Sequence, residues 1–312
     1  MSRFPLVAVA VAVAAACGNS KDSSGKVSVA RPAPAVGSAD TGPCQSLPFA
    51  ESAPVPEASG AAWIELEGKP ALVVVSDSGN DGAYAIVDAE TGESRETGTL
   101  PLGDAGQDTE GMAVRGDRIV GLTSSGRIRE WKRIPGGFEL PEPAYPLGPI
   151  DLADGKKSGD TPPEGTGMVC KAKATNCGRN YEGLCLAPPA HAKGPCIGFA
   201  AAKADGHLYC IVDDAGKLAV KYSPRIAVTR PGSLADCAFG DDGTLYAGSN
   251  LFDMSRVFRV DGWTAPESAK VVEIASLGMG FPETLAVRGD VIYRMSDTGG
   301  SPSLMTKFRC SR

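Results

Sequence analysis

The apolar residues of this chain fall into short runs, each closed by Gly, Asp or Asn, and few windows are long enough for a helix. Residues 71–75 lead through Ser76-Asp77-Ser78-Gly79 to a second run at 84–88, which ends before Glu90-Thr91-Gly92. Near the other end, residues 284–287 turn through Gly289-Asp290 into 291–295, and the loop 296–300 leads into 304–310. Runs of this length between Gly and Asp turns predict antiparallel hairpins. With 39 Gly and 24 Pro among 312 residues, almost every helical window is interrupted.

The hairpins repeat. Glu110-Gly111-Met112-Ala113-Val114-Arg115-Gly116-Asp117 is echoed by Glu283-Thr284-Leu285-Ala286-Val287-Arg288-Gly289-Asp290. Looser copies start at Glu182 and Asp236, and a first copy at Ser59 lacks the acid. Three or four short strands per unit, repeated radially, predict an all-β fold, a β-propeller. Five blades are recognisable. The spacing of 72 residues between Glu110 and Glu182 exceeds the roughly 40–50 of a blade. The excess lies in residues 141–179, rich in Pro, Gly, Lys and Asp, which read as a long loop or as a divergent sixth blade. The two Arg-Gly-Asp triplets fall between strands and read as hairpin turns, not adhesion signals.

The one long apolar stretch, residues 6–16, follows Arg3 and is too short to span a membrane. It predicts a signal peptide over 1–16. Ala14-Ala15-Ala16-Cys17-Gly18 resembles a bacterial lipobox, which implies cleavage before Cys17 and lipidation of its thiol. Residues 17–43 then form a flexible tether and 44–312 the propeller domain. Gly18 is not the Asp that retains enteric lipoproteins at the inner membrane, so the expectation is an outer-membrane anchor in the cell envelope.

Cysteine usage agrees with export. Beyond Cys17, eight of the nine Cys remain, an even number suited to disulfides in an oxidising compartment. A propeller must close its first blade on its last, which pairs Cys44 with Cys310 and locks the ring. Cys170 and Cys177 close a small ring inside the long loop, and the pairing of Cys185, Cys196, Cys210 and Cys237 stays open. No Cys-x-x-Cys occurs and only two His are present, which disfavours structural zinc. A net charge of −6 without a Lys/Arg cluster gives no nucleic-acid footprint.

In a propeller the first strand of each blade lines the central channel, so Glu110, Glu182, Asp236 and Glu283 are expected to converge there, with Asn180 adding an oxygen. Carboxylates that close repel one another, and calcium, which accepts six to eight oxygens, relieves the repulsion. The alternative is structural: acids that cap backbone N–H groups of neighbouring blades or pair with Arg115 or Arg288.

Asn180-Tyr181-Glu182-Gly183-Leu184-Cys185-Leu186 and Glu110-Gly111-Met112-Ala113-Val114 resemble the Glu-Gly-Leu-Ala strand of esterase-like phytase propellers. Ser76-Asp77-Ser78-Gly79 and Ser296-Asp297-Thr298-Gly299 resemble the Ser-Asp loop after a blade strand in that family. The likeness covers roughly residues 57–310 and implies calcium in the channel and hydrolysis of phosphoesters. No dense acidic loop and no Lys/Arg cluster for a polyphosphate accompany these motifs. Propeller lactonases, with Glu, Asn and Asp around one calcium, are similar in chemistry; Glu110 or Glu182 with Asn180 and Asp236 match that set. Two functions follow: a lipid-anchored binding or scaffold propeller for an unidentified small-molecule or protein ligand, and a calcium-dependent hydrolase of phosphoesters or lactones.

Overall fold

A computed structural model describes residues 44–151, 161–251 and 254–310. The predicted signal peptide, Cys17 and the tether lie outside the described residues. The described chain forms five antiparallel sheets, the five blades of a propeller. Blade one is β3 (Ala58–Leu66), β4 (Lys69–Ser76), β5 (Ala83–Asp88) and β6 (Ser94–Thr99). Blade two is β7 (Thr109–Arg115), β8 (Arg118–Thr123), β9 (Arg127–Ile134) and β10 (Gly137–Glu139), with the short β11 (Tyr145–Pro146) added along β9. Blade three is β12 (Tyr181–Leu186), β13 (Gly198–Ala202), β14 (His207–Asp214) and β15 (Lys217–Ala227). Blade four is β16 (Leu234–Phe239), β17 (Leu245–Leu251), β18 (Met254–Asp261) and β19 (Lys270–Gly278).

Blade five is made from both ends of the described chain. Strands β20 (Phe281–Arg288), β21 (Val291–Asp297) and β22 (Pro302–Cys310) are completed by β1 (Cys44–Leu47), and β2 (Ser52–Pro56) also pairs with β22. Cys44 lies directly opposite Cys310 in this ladder and is disulfide-bonded to it. The remaining bonds are Cys170–Cys177, Cys185–Cys237 and Cys196–Cys210. Cys185–Cys237 ties the inner strands of blades three and four together.

The cores lie between the blades, where the apolar faces of neighbouring sheets meet. Leu72, Val74 and Ala85 pack against Tyr293 and Met295 of blade five, while Phe199, Leu208 and Cys210 pack against Leu245 and Val260 of blade four. This is why each run alternates yet also holds long buried stretches: both faces of each sheet are covered.

The segment between β11 and β12 is a loop packed on blades two and three, not a further blade. Its own Leu147 and Val169 are fully buried against blades two and three. The Asp151 carboxylate accepts from the Met168 and Val169 amides, both at 3.0 Å. Arg179, buried, donates to the Thr166 and Pro163 carbonyls and to Asp205 at 2.7 Å. Residues 152–160 of this segment lie outside the described residues.

Candidate functional site: an acidic channel mouth

Every inner strand breaks register at the same place. The ladders shift between Ala58 and Gly60, Thr109 and Gly111, Tyr181 and Gly183, Leu234 and Asp236, and Pro282 and Thr284. A bulge inserts one residue and re-aims its side chain. The inserted residues are Ser59, Glu110, Glu182, Ala235 and Glu283, so three of the five positions carry a Glu.

The residue after the bulge explains the Glu-Gly phrase. A Cβ on Gly111 would collide with the backbone of Gly183 and Leu184, one on Gly60 with Glu110, and one on Gly183 with Asp236. Glycine lets adjacent inner strands approach, and the acid before it is delivered to one end of the channel.

This register corrects the expected place of Asp236. It occupies the glycine position of its blade, and Ala235 stands where the fourth acid was expected. Its carboxylate, 2 % exposed, accepts from the Cys237 amide and, across the blade boundary, from the Leu285 amide, each at 2.7 Å. Asp236 therefore plays the backbone-capping role. Arg115 and Arg288, the other structural partners expected for these acids, lie at the far ends of their strands. They pair there with Asp213 and Glu130, and with Asp241.

Two more sets of equivalent residues surround the bulges. At the end of the second strand of each blade stands Asp77, Ser124, Lys203, Asn250 or Asp297, and two residues before each bulge stands Glu57, Asp108, Asn180, Ser233 or Phe281. These fifteen positions include seven carboxylates and one ammonium group. The sequence motifs identified the bulge acids but not Asp108, Lys203 or the place of Asp77 in the mouth. Their only local signal is a fixed offset from each inner strand.

The acids divide into two groups. Asp77, Asp108 and Glu110 each offer an oxygen within 4.8 Å of the others. Ser124 donates to Asp108, the Ser78 amide donates to Asp77, and Asn176 of the disulfide-closed loop donates its amide to Ser124 at 2.9 Å. Arg129 holds the segment bearing Asp108 through the Leu102 and Gly106 carbonyls and Thr109. In the second group, Lys203 Nζ donates to Glu182 at 2.8 Å and stands 3.6 Å from Glu283. Asn180 donates to Glu182 at 2.8 Å and Asn250 to Glu283 at 3.4 Å.

Proton affinities follow this geometry. Burial raises Glu110 well above the usual carboxylate range, and the neighbouring Glu182, Asp77 and Asp108 raise it further. Burial, with Asp108 and Glu182 adding to it, pushes Asp77 up to about 6. Burial and then Glu182 push Glu283 up to about 8, although Lys203 opposes the shift.

An oxygen-only donor set fits a hard cation. Calcium, with bonds of about 2.3–2.6 Å and loose geometry, accommodates three oxygens that lie within 4.8 Å of one another. Asn180 supplies a second sign. Its Oδ1 is a buried acceptor without a hydrogen-bond partner, while its amide nitrogen already serves Glu182.

The opposite end of the channel has another character. Two residues beyond the bulges stand Ala61, Met112, Leu184, Cys237 and Leu285, an apolar ring. Below it opens a hollow of about 530 Å³, with a second of about 490 Å³ sharing Trp63, Val114 and Gly116.

No family model and no curated protein matches the chain. Solved structures do. Glutaminyl cyclase of Myxococcus xanthus is 13 % identical, with 86 % of this chain and 97 % of that chain covered at a TM-score of 0.50. A putative oxidoreductase (glucose dehydrogenase) of Thermus thermophilus is 13 % identical over 85 % and 99 %, with a TM-score of 0.47. A putative 6-phosphogluconolactonase of Bacteroides uniformis is 17 % identical over 78 % and 79 %, with a TM-score of 0.45. At 13 % identity the likeness to the glutaminyl cyclase is one of fold alone; the five blades and the four disulfides are features of this chain's own structure.

Proposed function

We propose that this is a cell-envelope propeller that binds calcium at its acidic mouth and presents that mouth to a ligand, held at the outer membrane by a lipid on Cys17 and the tether 17–43. The observation that carries the reading is the trio Asp77, Asp108 and Glu110. Three buried or half-buried carboxyl oxygens lie within 4.8 Å of one another, while the one lysine of the mouth is committed to Glu182 and Glu283. A cation relieves that repulsion without protonating the acids. The resemblance to esterase-like phytases supports calcium in the channel.

The test is thermal unfolding of the purified protein in calcium and in EDTA. Calcium at one hundred times its dissociation constant adds about 2.7 kcal/mol. The rise should vanish in Asp77→Asn/Glu110→Gln. An unchanged midpoint at millimolar calcium would sink the reading.

A second reading, hydrolysis, draws on Glu283. A carboxyl raised to about 8, bonded to Asn250 beside Lys203, exchanges a proton near neutral pH. The excess of carboxylates over cations at the mouth disfavours a phosphoester and favours a neutral ester or lactone. Chelator-sensitive turnover of such a substrate, lost in Glu283→Gln, supports this reading; turnover undiminished in Glu283→Gln and Glu182→Gln rejects it.

A further inference from the structure

We infer that Lys203 is a tethered cation standing in a second cation position of the mouth, and that it restricts the mouth to one divalent ion. The inference rests on the reading of Asp77, Asp108 and Glu110 as a calcium site.

The position is built for a cation. Glu182 and Glu283 face the same Nζ at 2.8 and 3.6 Å, and Asn180 and Asn250 donate one to each carboxylate. Glu182 is 3 % exposed and Glu283 13 %, so water screens neither well. The backbone of Lys203 is fixed on both sides: its amide donates to the Asn180 carbonyl at 2.9 Å and its carbonyl accepts from the Gly232 amide at 2.6 Å. The stem therefore enters the mouth from a fixed point. At the equivalent position the other blades carry Asp77, Ser124, Asn250 and Asp297, all oxygen-bearing side chains. Blade three alone places a positive charge there.

Removal of that charge leaves Glu182 and Glu283, which face the same Nζ at 2.8 and 3.6 Å, without their shared counter-charge. Two buried carboxylates without a counter-charge either take up a proton or take up an ion. At pH 7.5 with calcium present, the ion competes well, because calcium tolerates irregular oxygen geometry.

The experiment is equilibrium dialysis of the full chain against radiolabelled calcium, for the wild type, Lys203→Met, Lys203→Arg and Lys203→Met/Glu283→Gln. The expected result is one ion per chain in the wild type and in Lys203→Arg, two in Lys203→Met, and one again in the double variant. Two ions in the wild type, or one in a folded Lys203→Met, overturns the inference. No ion in the wild type but one in Lys203→Met rejects the Asp77 site while keeping the role of Lys203. No ion in either rejects both. If Lys203→Met folds only with calcium, as read by circular dichroism, its stoichiometry is measured in calcium throughout under the same criteria; if it fails to fold with or without calcium, Lys203→Gln replaces it.

Discussion

At the scale of single residues, the mouth couples stability to pH. Asp77 and Glu283 bind protons more tightly in the folded state than in the unfolded chain, where ordinary values are 3.8 and 4.5. The native state therefore holds more protons than the unfolded state, and stability falls as pH rises through that interval. Without divalent ions the unfolding midpoint should drop between about pH 4 and pH 8, with the two carboxyls losing their protons near 6 and 8. Calcium should flatten the decline, since it supplies the missing charge to the trio. A midpoint that rises with pH in EDTA would show these acids to be ionised and satisfied on their own. Asp236 makes a separate prediction: Asp236→Ala strands the buried Leu285 amide and costs about 1–3 kcal/mol, read by denaturant unfolding, with no effect on calcium binding.

At the scale of elements, the recurrent bulge decides which residues reach the channel. Gly111→Ala drives a Cβ into the neighbouring inner strand and should destabilise the protein by about 1–3 kcal/mol while shifting Glu110, so calcium affinity falls as well. Unchanged affinity in that variant would separate the bulge from the site. The ring closed by Cys170–Cys177 bears on the mouth through Asn176 and Ser124; its reduction should weaken calcium binding more than it lowers the melting point. Much of this was legible beforehand. The Glu-Gly echo revealed the inner strands, and the position of Cys44 and Cys310 near the domain ends revealed the closing seam. What stayed hidden were offsets of one residue. A bulge cannot be read from alternation alone, so Asp236 looked equivalent to Glu182 although it stands one place later. Asp108 and Lys203 come from loops whose composition is ordinary, and they meet the glutamates only because the blades close into a ring.

At the scale of the whole molecule, each inner strand carries a polar end and an apolar end, and the five apolar residues beyond the bulges divide the channel. The acidic mouth and the hollow of about 530 Å³ thus lie toward opposite ends of the inner strands. Leu184→Ala should change the apolar hollow and cost about 2–5 kcal/mol without altering calcium stoichiometry, as measured by unfolding and dialysis. The Cys44–Cys310 bond closes a loop with a sequence separation of 266, and its removal should cost about 5–6 kcal/mol in the chain-entropy limit. That bond also determines how the molecule bears load. A pull on the chain ahead of Cys44 passes straight through sulfur into β22 and stretches blade five, instead of peeling β1 from its edge. Blades one to four, and the acid trio they carry, lie off the line of tension. With the proposed lipid anchor pulling ahead of Cys44, the seam takes the strain and the acidic mouth keeps its geometry.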